Sequence, residues 1–277
     1  MSQATTSTMH WKSIVYLMAA IQVGAGSIII GVLSFLTLFI KALGITDPGT
    51  AATWAGIVSG VTPLMVAISA PFWSRKANQH GPKYMLAAIL FTLGLANLAA
   101  FFVQSPWQLL ACRIVQGLVG GFVPIGLLTV TWVSPEEKLP WGMGFYQAAM
   151  VMGLVIGPLL GGLVADSFGY RAPFLFFALV AFLCLLALLA IMPKIPGKGA
   201  VAAGDSMISN LKYFMSIKEV RLLVGMQFLC NFGLTGIGPI LPLYIKHYMS
   251  VDAGLVATIV GIIMFLAGIT SASSSLM

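Results

Sequence analysis

Eight stretches of about twenty residues, each nearly free of charge, decide what this chain can become: 14–40, 54–73, 84–103, 108–132, 143–165, 172–192, 222–245 and 254–275. An α-helix of roughly twenty apolar residues is as long as the hydrocarbon core of a bilayer is thick, and inside that core the backbone must satisfy its own hydrogen bonds. Charged residues are 8% of the chain and apolar ones 59%, with mean hydropathy +1.01. Globular domains carry about 25% charged residues, so this chain lacks the polar surface to cover itself in water. The expected fold class is all-α and transmembrane, with the lipid bilayer as first partner. Continuous apolar runs argue against a strand barrel, which needs short alternating segments, and the abundant Gly and Ala suit close helix packing.

The first apolar run is too long for a cleavable leader and is expected to be a retained anchor. Cys112, Cys184 and Cys230 all fall inside spans, so a disulfide framework is not expected. The net charge of +7 is explained by where the charges fall. With the N-terminus inside, cytoplasmic segments hold Lys12, Arg75, Lys76, Lys83, Lys138, Lys194, Lys198, Lys212, Lys218 and Arg221, and outer segments hold only Lys41, Arg171 and Lys246. That bias is the positive-inside rule. It predicts a multi-pass membrane protein with a cytoplasmic N-terminus, and it leaves no basic surplus for nucleic acid.

The longest polar stretch, 193–219, reads as a cytoplasmic linker, part of which, 207–215, has the spacing of a surface helix. The expected domains are a six-helix bundle over 1–192, a linker over 193–221 and a partial second bundle over 222–277. An internal repeat supports this division. Displacing the chain by 205 residues lays Gln22 on Gln227, Leu36 on Leu241, Ile40 on Ile245, Lys41 on Lys246, Thr53 on Thr258, Gly56 on Gly261 and Ser69 on Ser274, with no gap. The seventh and eighth spans read as the first and second again. A second half equal to the first would have four more.

In the fourth span Arg113, Gln116, Gly117 and Gly120 share one helix face. A guanidinium inside a membrane must reach water, a partner or a cavity, and this marks a functional site; the competing reading is an arginine that snorkels to the interface. In the fifth span Gly153, Gly157 and Gly161 recur at steps of four, a groove for a neighbouring backbone, and Pro158 removes a helical hydrogen bond and favours a bend. The combination supplies the closely packed, kinked seam that rocking bundles need.

The sequence Arg113-Ile-Val-Gln116-Gly117 resembles the fourth-helix motif of the major facilitator superfamily. Gly153-Leu-Val-Ile-Gly157-Pro158-Leu-Leu-Gly161-Gly162 resembles the motif of its drug and proton antiporters. Three further segments resemble its bacterial multidrug exporters: Ala70-Pro-Phe-Trp73, Gly120-Gly-Phe-Val-Pro124 and Gly161-Gly-Leu-Val-Ala-Asp166-Ser-Phe-Gly-Tyr-Arg171. The resemblance implies a twelve-helix exporter of a bacterial plasma membrane, of which eight helices are here, working as a monomer with protons as coupling ion and a central cavity between two bundles. It implies proton transfer or its electrostatic control at Arg113, Gln116 and Gly117. Between the second and third spans the family carries a charged motif, of which Gly81 and Lys83 remain here. Asn78 replaces its aspartate, and Gln79 and Pro82 its arginines, which removes a charge pair that latches the bundle.

Polar amides are costly against lipid, so Gln22, Gln147, Gln227 and Asn231, with Tyr146, Met150 and Met226 nearby, are the substrate-cavity candidates. Each amide alone fits an interhelical hydrogen bond equally well. Every acidic residue lies in a loop or at a helix end, so proton coupling is expected at Asp166, through water linked to Arg113, or outside this sequence. His10, His80 and His247 are scattered in loops, without metal spacing, nucleophile elbow or phosphate loop. No enzyme, cofactor or metal is expected. The function expected is export of small lipophilic molecules by proton antiport; a facilitator for sugars or other neutral metabolites, and an inactive fragment or non-transporting membrane protein, are the alternatives.

Overall fold

The computed structural model describes residues 11–197, 199, 213, 215–237, 240–248 and 255–274. Among them every regular element is a helix. Six helical units are long and apolar enough to cross a membrane: Trp11–Ser34, Pro48–His80, Pro82–Phe101, Pro106–Val133, Glu136–Phe168 and Ala172–Ile191. They are called here the first to sixth spans. Helices Lys218–Ile237 and Leu241–Tyr248 form the seventh, and Val256–Ser274 the eighth. The surface identifies the solvent. Along the sixth span Leu175, Leu179, Leu183, Leu186 and Leu189 are all exposed, a continuous apolar ridge that a water-soluble monomer does not carry.

The residues at the helix ends explain where the chain turns. Asp47 caps the second span, its carboxylate accepting from the Thr50 amide at 2.7 Å. Gly81, at a φ of 89° that side chains rarely adopt, closes that span, and Pro82 opens the third. Ser105 accepts from the Gln108 amide ahead of Pro106. With 33 residues the second span is about 50 Å long, longer than a bilayer core, and it carries Pro63 and Pro71 within it.

Three spans expected to be continuous are broken. The first tightens into a 3-10 turn at Gly31–Ser34 and resumes as Leu36–Ala42, because Gly31 is wedged between the Phe177 ring and the fifth span; a Cβ there would lie 2.8 Å from Gly157 O. The fourth breaks after Leu118 and restarts at Phe122. Its Gly120-Gly121 pair tolerates the break, and second-span side chains take over the freed carbonyls. Ser69 Oγ donates to Gly117 O at 2.9 Å and Trp73 Nε1 to Leu118 O at 2.7 Å. Buried backbone at membrane depth requires such replacement partners. The seventh span stops at Ile237 and resumes at Leu241.

The core divides into two clusters along the bundle. One, at the pole carrying Trp11, gathers Met18, Ile21, Leu86, Phe122, Tyr146 and Leu188; the other, toward the opposite pole, gathers Phe35, Phe39, Leu109, Phe174, Phe177 and Val260. The fifth span packs on both the first and the eighth, and the third on the sixth, where Gly94 makes room for Phe182.

Candidate functional site

Arg113 lies two turns into the fourth span and is 4% exposed. Its Nη1 donates to Gln116 Oε1 at 2.7 Å, one turn onward on the same face, and the guanidinium carbon stands 5.9 Å from the Phe174 ring centre. A snorkelling side chain would reach the surface, so this burial overturns that reading. Arg113 Nη2 and Gln116 Nε2 are buried without a hydrogen-bond partner. The third residue of the motif, Gly117, brings the fourth span onto the second: a Cβ there would lie 2.6 Å from Thr62 O and 2.5 Å from Met65 Cβ. Thr62 Oγ1 in turn donates to Arg113 O at 3.4 Å. The helix break at Val119 ends the common helix face, but Gly120 and Gly121 still face second-span residues, Val66 and Trp73.

Beside Arg113 opens a cavity of about 800 Å3. Ile29, Leu33 and Leu36 of the first span and Gly56, Ser59 and Pro63 of the second wall it, and Arg113 and Ile240 belong to its lining. Of the residues expected to line a cavity, Gln22, Tyr146, Gln147, Met150 and Met226 are not among those that line this one. Gln22 and Tyr146 are buried and bonded to each other, the phenol donating to Gln22 Oε1 at 2.7 Å. The phenol occupies the space left by Gly126, so here the amide serves interhelical packing. Gln147 is exposed on the fifth span, Met150 half-buried, and Met226 exposed on the seventh. The side chains of Gln227 and Asn231 lie outside the described residues, as does the stretch 207–212 of the linker.

The fifth span uses its glycines on two faces. Toward the first span, a Cβ at Gly153 would lie 2.7 Å from Val23 O, one at Gly157 2.8 Å from Ser27 O, and one at Gly161 2.9 Å from Gly31 C. Ser27 Oγ donates across the same contact to Gly153 O at 3.2 Å. Toward the eighth span, a Cβ at Gly162 would lie 2.7 Å from Ala257 C, and one at Gly261 2.5 Å from Pro158 O. Pro158 lies inside the helix with no hydrogen on its nitrogen, and its carbonyl faces Gly261. One turn beyond Gly162, the Asp166 carboxylate accepts from the Thr258 amide at 2.6 Å and the Ala257 amide at 3.4 Å. These are first-turn amides of the eighth helix, so Asp166 caps that helix from another span. A carboxylate at a helix N-terminus is favoured by both the free amides and the helix dipole.

The remnant loop motif holds the end of the sixth span. Lys83 Nζ donates to Leu189 O at 2.9 Å and to Met192 O, carbonyls of the last turn, where a cation is favoured. Asn78 Nδ2 donates to Gly199 O at 3.1 Å, and Gly81 packs on Ile195. The substituted motif therefore fastens neighbouring parts of the chain to one another.

Sequence reasoning overlooked Ser27, Gly31 and Ser59. A signal existed for two: Ser27 and Gly31 are small residues four apart, the spacing that marks a helix contact. Among the described residues no three His, Cys, Asp or Glu side chains converge as metal ligands would.

A family model described as Major Facilitator Superfamily matches residues 13–277. The multidrug resistance protein MdtG of Proteus mirabilis (strain HI4320) is 32% identical over 270 residues, 96% of this chain and 66% of that protein. MdtG of Yersinia enterocolitica (serotype O:8 / biotype 1B) is 30% identical over 240 residues, 83% of this chain and 57% of that protein. The chain thus spans 57% to 66% of the length of these two relatives. Among solved structures, a D-xylose-proton symporter superimposes with a TM-score of 0.61 at 14% identity, covering 95% of this chain and 66% of its own. A peptide transporter POT bound to alafosfalin does so with a TM-score of 0.58 at 14% identity, covering 86% and 53%. These two likenesses establish the fold.

Proposed function

Because the chain belongs to the major facilitator superfamily, we propose that it serves a secondary transporter that exports small lipophilic molecules in exchange for protons, by alternating access between two bundles. Residues 1–192 supply the first bundle, 193–221 the cytoplasmic linker and 222–277 part of the second. The pole carrying Trp11 faces the cytoplasm, in keeping with the positive charges near it.

The observation that carries this reading is the double-faced fifth span. Its contact with the first span lies within one bundle, and its contact with the eighth joins that bundle to the next. At the glycines of both, backbone meets backbone. Such contacts are either fully made or fully lost, which suits a rigid rocking motion. On this reading Gly162, Pro158 and Gly261 form an outer gate, and Asp166 is its electrostatic latch. Neutralising Asp166 removes the charge that faces the eighth helix's N-terminus, and this gives a proton arriving from outside a means to loosen the gate. Arg113, Gln116 and Gly117 stand beside the pathway within the first bundle, and supply the charge control. The multidrug resistance proteins among the relatives favour lipophilic drugs as cargo.

The test is dye export from proteoliposomes under an imposed proton gradient. Export that follows the gradient, and falls at least about tenfold with Arg113→Ala and with Gly157→Val, supports the proposal. Export indifferent to the gradient and to both substitutions refutes it.

A further inference from the structure

The first residues of the linker, 193–197, are neither helix nor strand, yet they lie fastened to the turn between the second and third spans. Ile195 packs, partly buried, against the core cluster that contains Ala77 and Leu86. A Cβ on Gly81 would collide with Ile195 O; one on Gly197 would collide with Gln79 O and lie 2.5 Å from Asn78 O. Linker and turn thus meet backbone to backbone. Lys194 Nζ stands 5.8 Å from the Tyr84 ring centre, and Asn78 Nδ2 donates to Gly199 O at 3.1 Å. Connections are ordinarily the mobile part of a fold. This one carries Pro193 and Pro196, whose fixed backbone angles lower the entropy lost on docking. The hydrogen bond also constrains what can stand at position 78. A carbonyl only accepts, so the NH2 side of an amide can make the bond and a carboxylate cannot. Position 78 lies in the last turn of the second span, two residues before its end at His80, where the helix dipole disfavours negative charge. A neutral donor meets both conditions, and an aspartate meets neither.

We propose that residues 193–197 with Gly199 form a strap that ties the end of the second span to the chain leaving the sixth, and that Asn78 is its catch. A pull on the linker then reaches the first bundle at the ends of both spans together, rather than at the sixth alone. As a part of an export cycle the strap rests on the transporter reading, since the linker is loaded only when the second bundle moves. As a fastening it is tested apart from that reading.

Trypsin reads the strap directly. The Lys194–Ile195 bond is cut from chain that has left its dock, so the rate of cutting follows the open population. The full chain, purified in a neutral detergent, is digested briefly and cleavage at this bond is counted by mass. Asn78→Asp is close in size, and it is expected to raise the rate about three- to thirtyfold, as the loss of one hydrogen bond with a carbonyl left facing a carboxylate predicts. Gly197→Val forces a side chain against Gln79 backbone and raises the rate at least as much. It lies outside every helix, so it keeps the test decisive even where Asn78→Asp disturbs the second span, which its melting temperature reports. Arg75→Gln, exposed in the last two turns of the same helix, lowers the local charge by the same amount as Asn78→Asp and leaves the rate unchanged. Asn78→Asp cut at the intact protein's rate overturns the catch, and Gly197→Val cut at that rate overturns the strap. Dye export from proteoliposomes is scored separately. Export unchanged in a variant whose strap is open removes the strap from the cycle and leaves the fastening. Failure of the transporter reading shows instead as gradient-indifferent export by the intact protein, and it leaves the cleavage rates untouched.

Discussion

Replacing Asp166 by Asn and by Ala separates the two contributions its carboxylate makes to the contact between the fifth and eighth spans. Asparagine keeps an oxygen that can accept from the Thr258 amide, 2.6 Å from Asp166 Oδ2 in the intact protein, and loses only the charge facing the helix N-terminus. That charge contributes about 0.5–1 kcal/mol, so the closed population falls about two- to fivefold relative to the open one. Alanine also removes the cap, worth about 1 kcal/mol with a range of 0.5–2. The combined loss of about 1–3 kcal/mol shifts the balance about 5- to 150-fold. Spin labels at Phe168 and Leu255, both exposed and flanking the contact, report the two populations as short and long distances. A second readout is the Tyr170 phenol, whose pKa is raised by burial first and by the Asp166 charge second. In Asp166→Asn that second cause disappears, and the phenol titrates at lower pH than in the intact protein. Distance distributions identical in all three proteins would refute the latch, as would an alanine effect no larger than the asparagine one.

The seam glycines separate by what they touch. Gly157→Val, which forces a side chain against Ser27 backbone, is expected to cost about 1–3 kcal/mol or prevent folding, whereas Gly144→Val, with nothing within 4 Å, leaves the melting temperature in detergent nearly unchanged. Ser69→Ala and Trp73→Phe each remove a hydrogen bond from the second span to a carbonyl at the fourth-span break, Gly117 O keeping its bond from the Gly120 amide, and are expected to cost about 0.6–1.7 kcal/mol by the same thermal assay, the range found for hydrogen bonds between membrane helices. Hydrogen bonds from Thr50, first of all, hold the Asp47 carboxyl below its ordinary value of 3.8. Its cap is therefore fully present above about 3.8 and is lost as pH falls through the lower folded value. The Thr50 amide resonance is expected to move in that acid window and to stay fixed in Asp47→Ala.

Much of this arrangement was legible because membrane helices announce themselves by length, and because close helix contacts demand small residues at steps of four. Gly153, Gly157 and Gly161 were readable as a seam on that ground, and Arg113 with Gln116 as a pair on one face. The seam's two partners were not readable. Spacing says that a backbone comes near, and the pairing with Ser27 and Gly31 on one side and Ala257 and Gly261 on the other is a matter of tertiary geometry. The breaks at Val119 and Gly31 escaped for a related reason. Glycine permits a break anywhere, and what fixes one here is a neighbour, Phe177 filling the space at Gly31 and Ser69 with Trp73 replacing the lost bonds of the fourth span. Gln22 illustrates the converse difficulty, since an amide in an apolar helix needs a partner, but its sequence does not say whether that is a ligand or, as here, the Tyr146 phenol.

The placement of charge limits how binding and gating can communicate. Asp166 and Arg113 are engaged separately, one with eighth-span amides and the other with Gln116, so no ion pair joins them among the described residues. Coupling between the two sites must then pass through packing. The first span offers that route, because it walls the cavity through Ile29, Leu33 and Leu36 while its Ser27 and Gly31 lie in the glycine groove of the fifth. Its 3-10 turn at Gly31–Ser34 sits between these two contacts, and such a turn within a span is a place where a helix can bend. A ligand that pushes the cavity wall at Leu33 therefore acts within a turn of Gly31, which packs on Gly161, the residue next to Gly162 and the eighth span. Cavity occupancy and the outer contact are thus linked through about one turn of helix, without any charge moving between them.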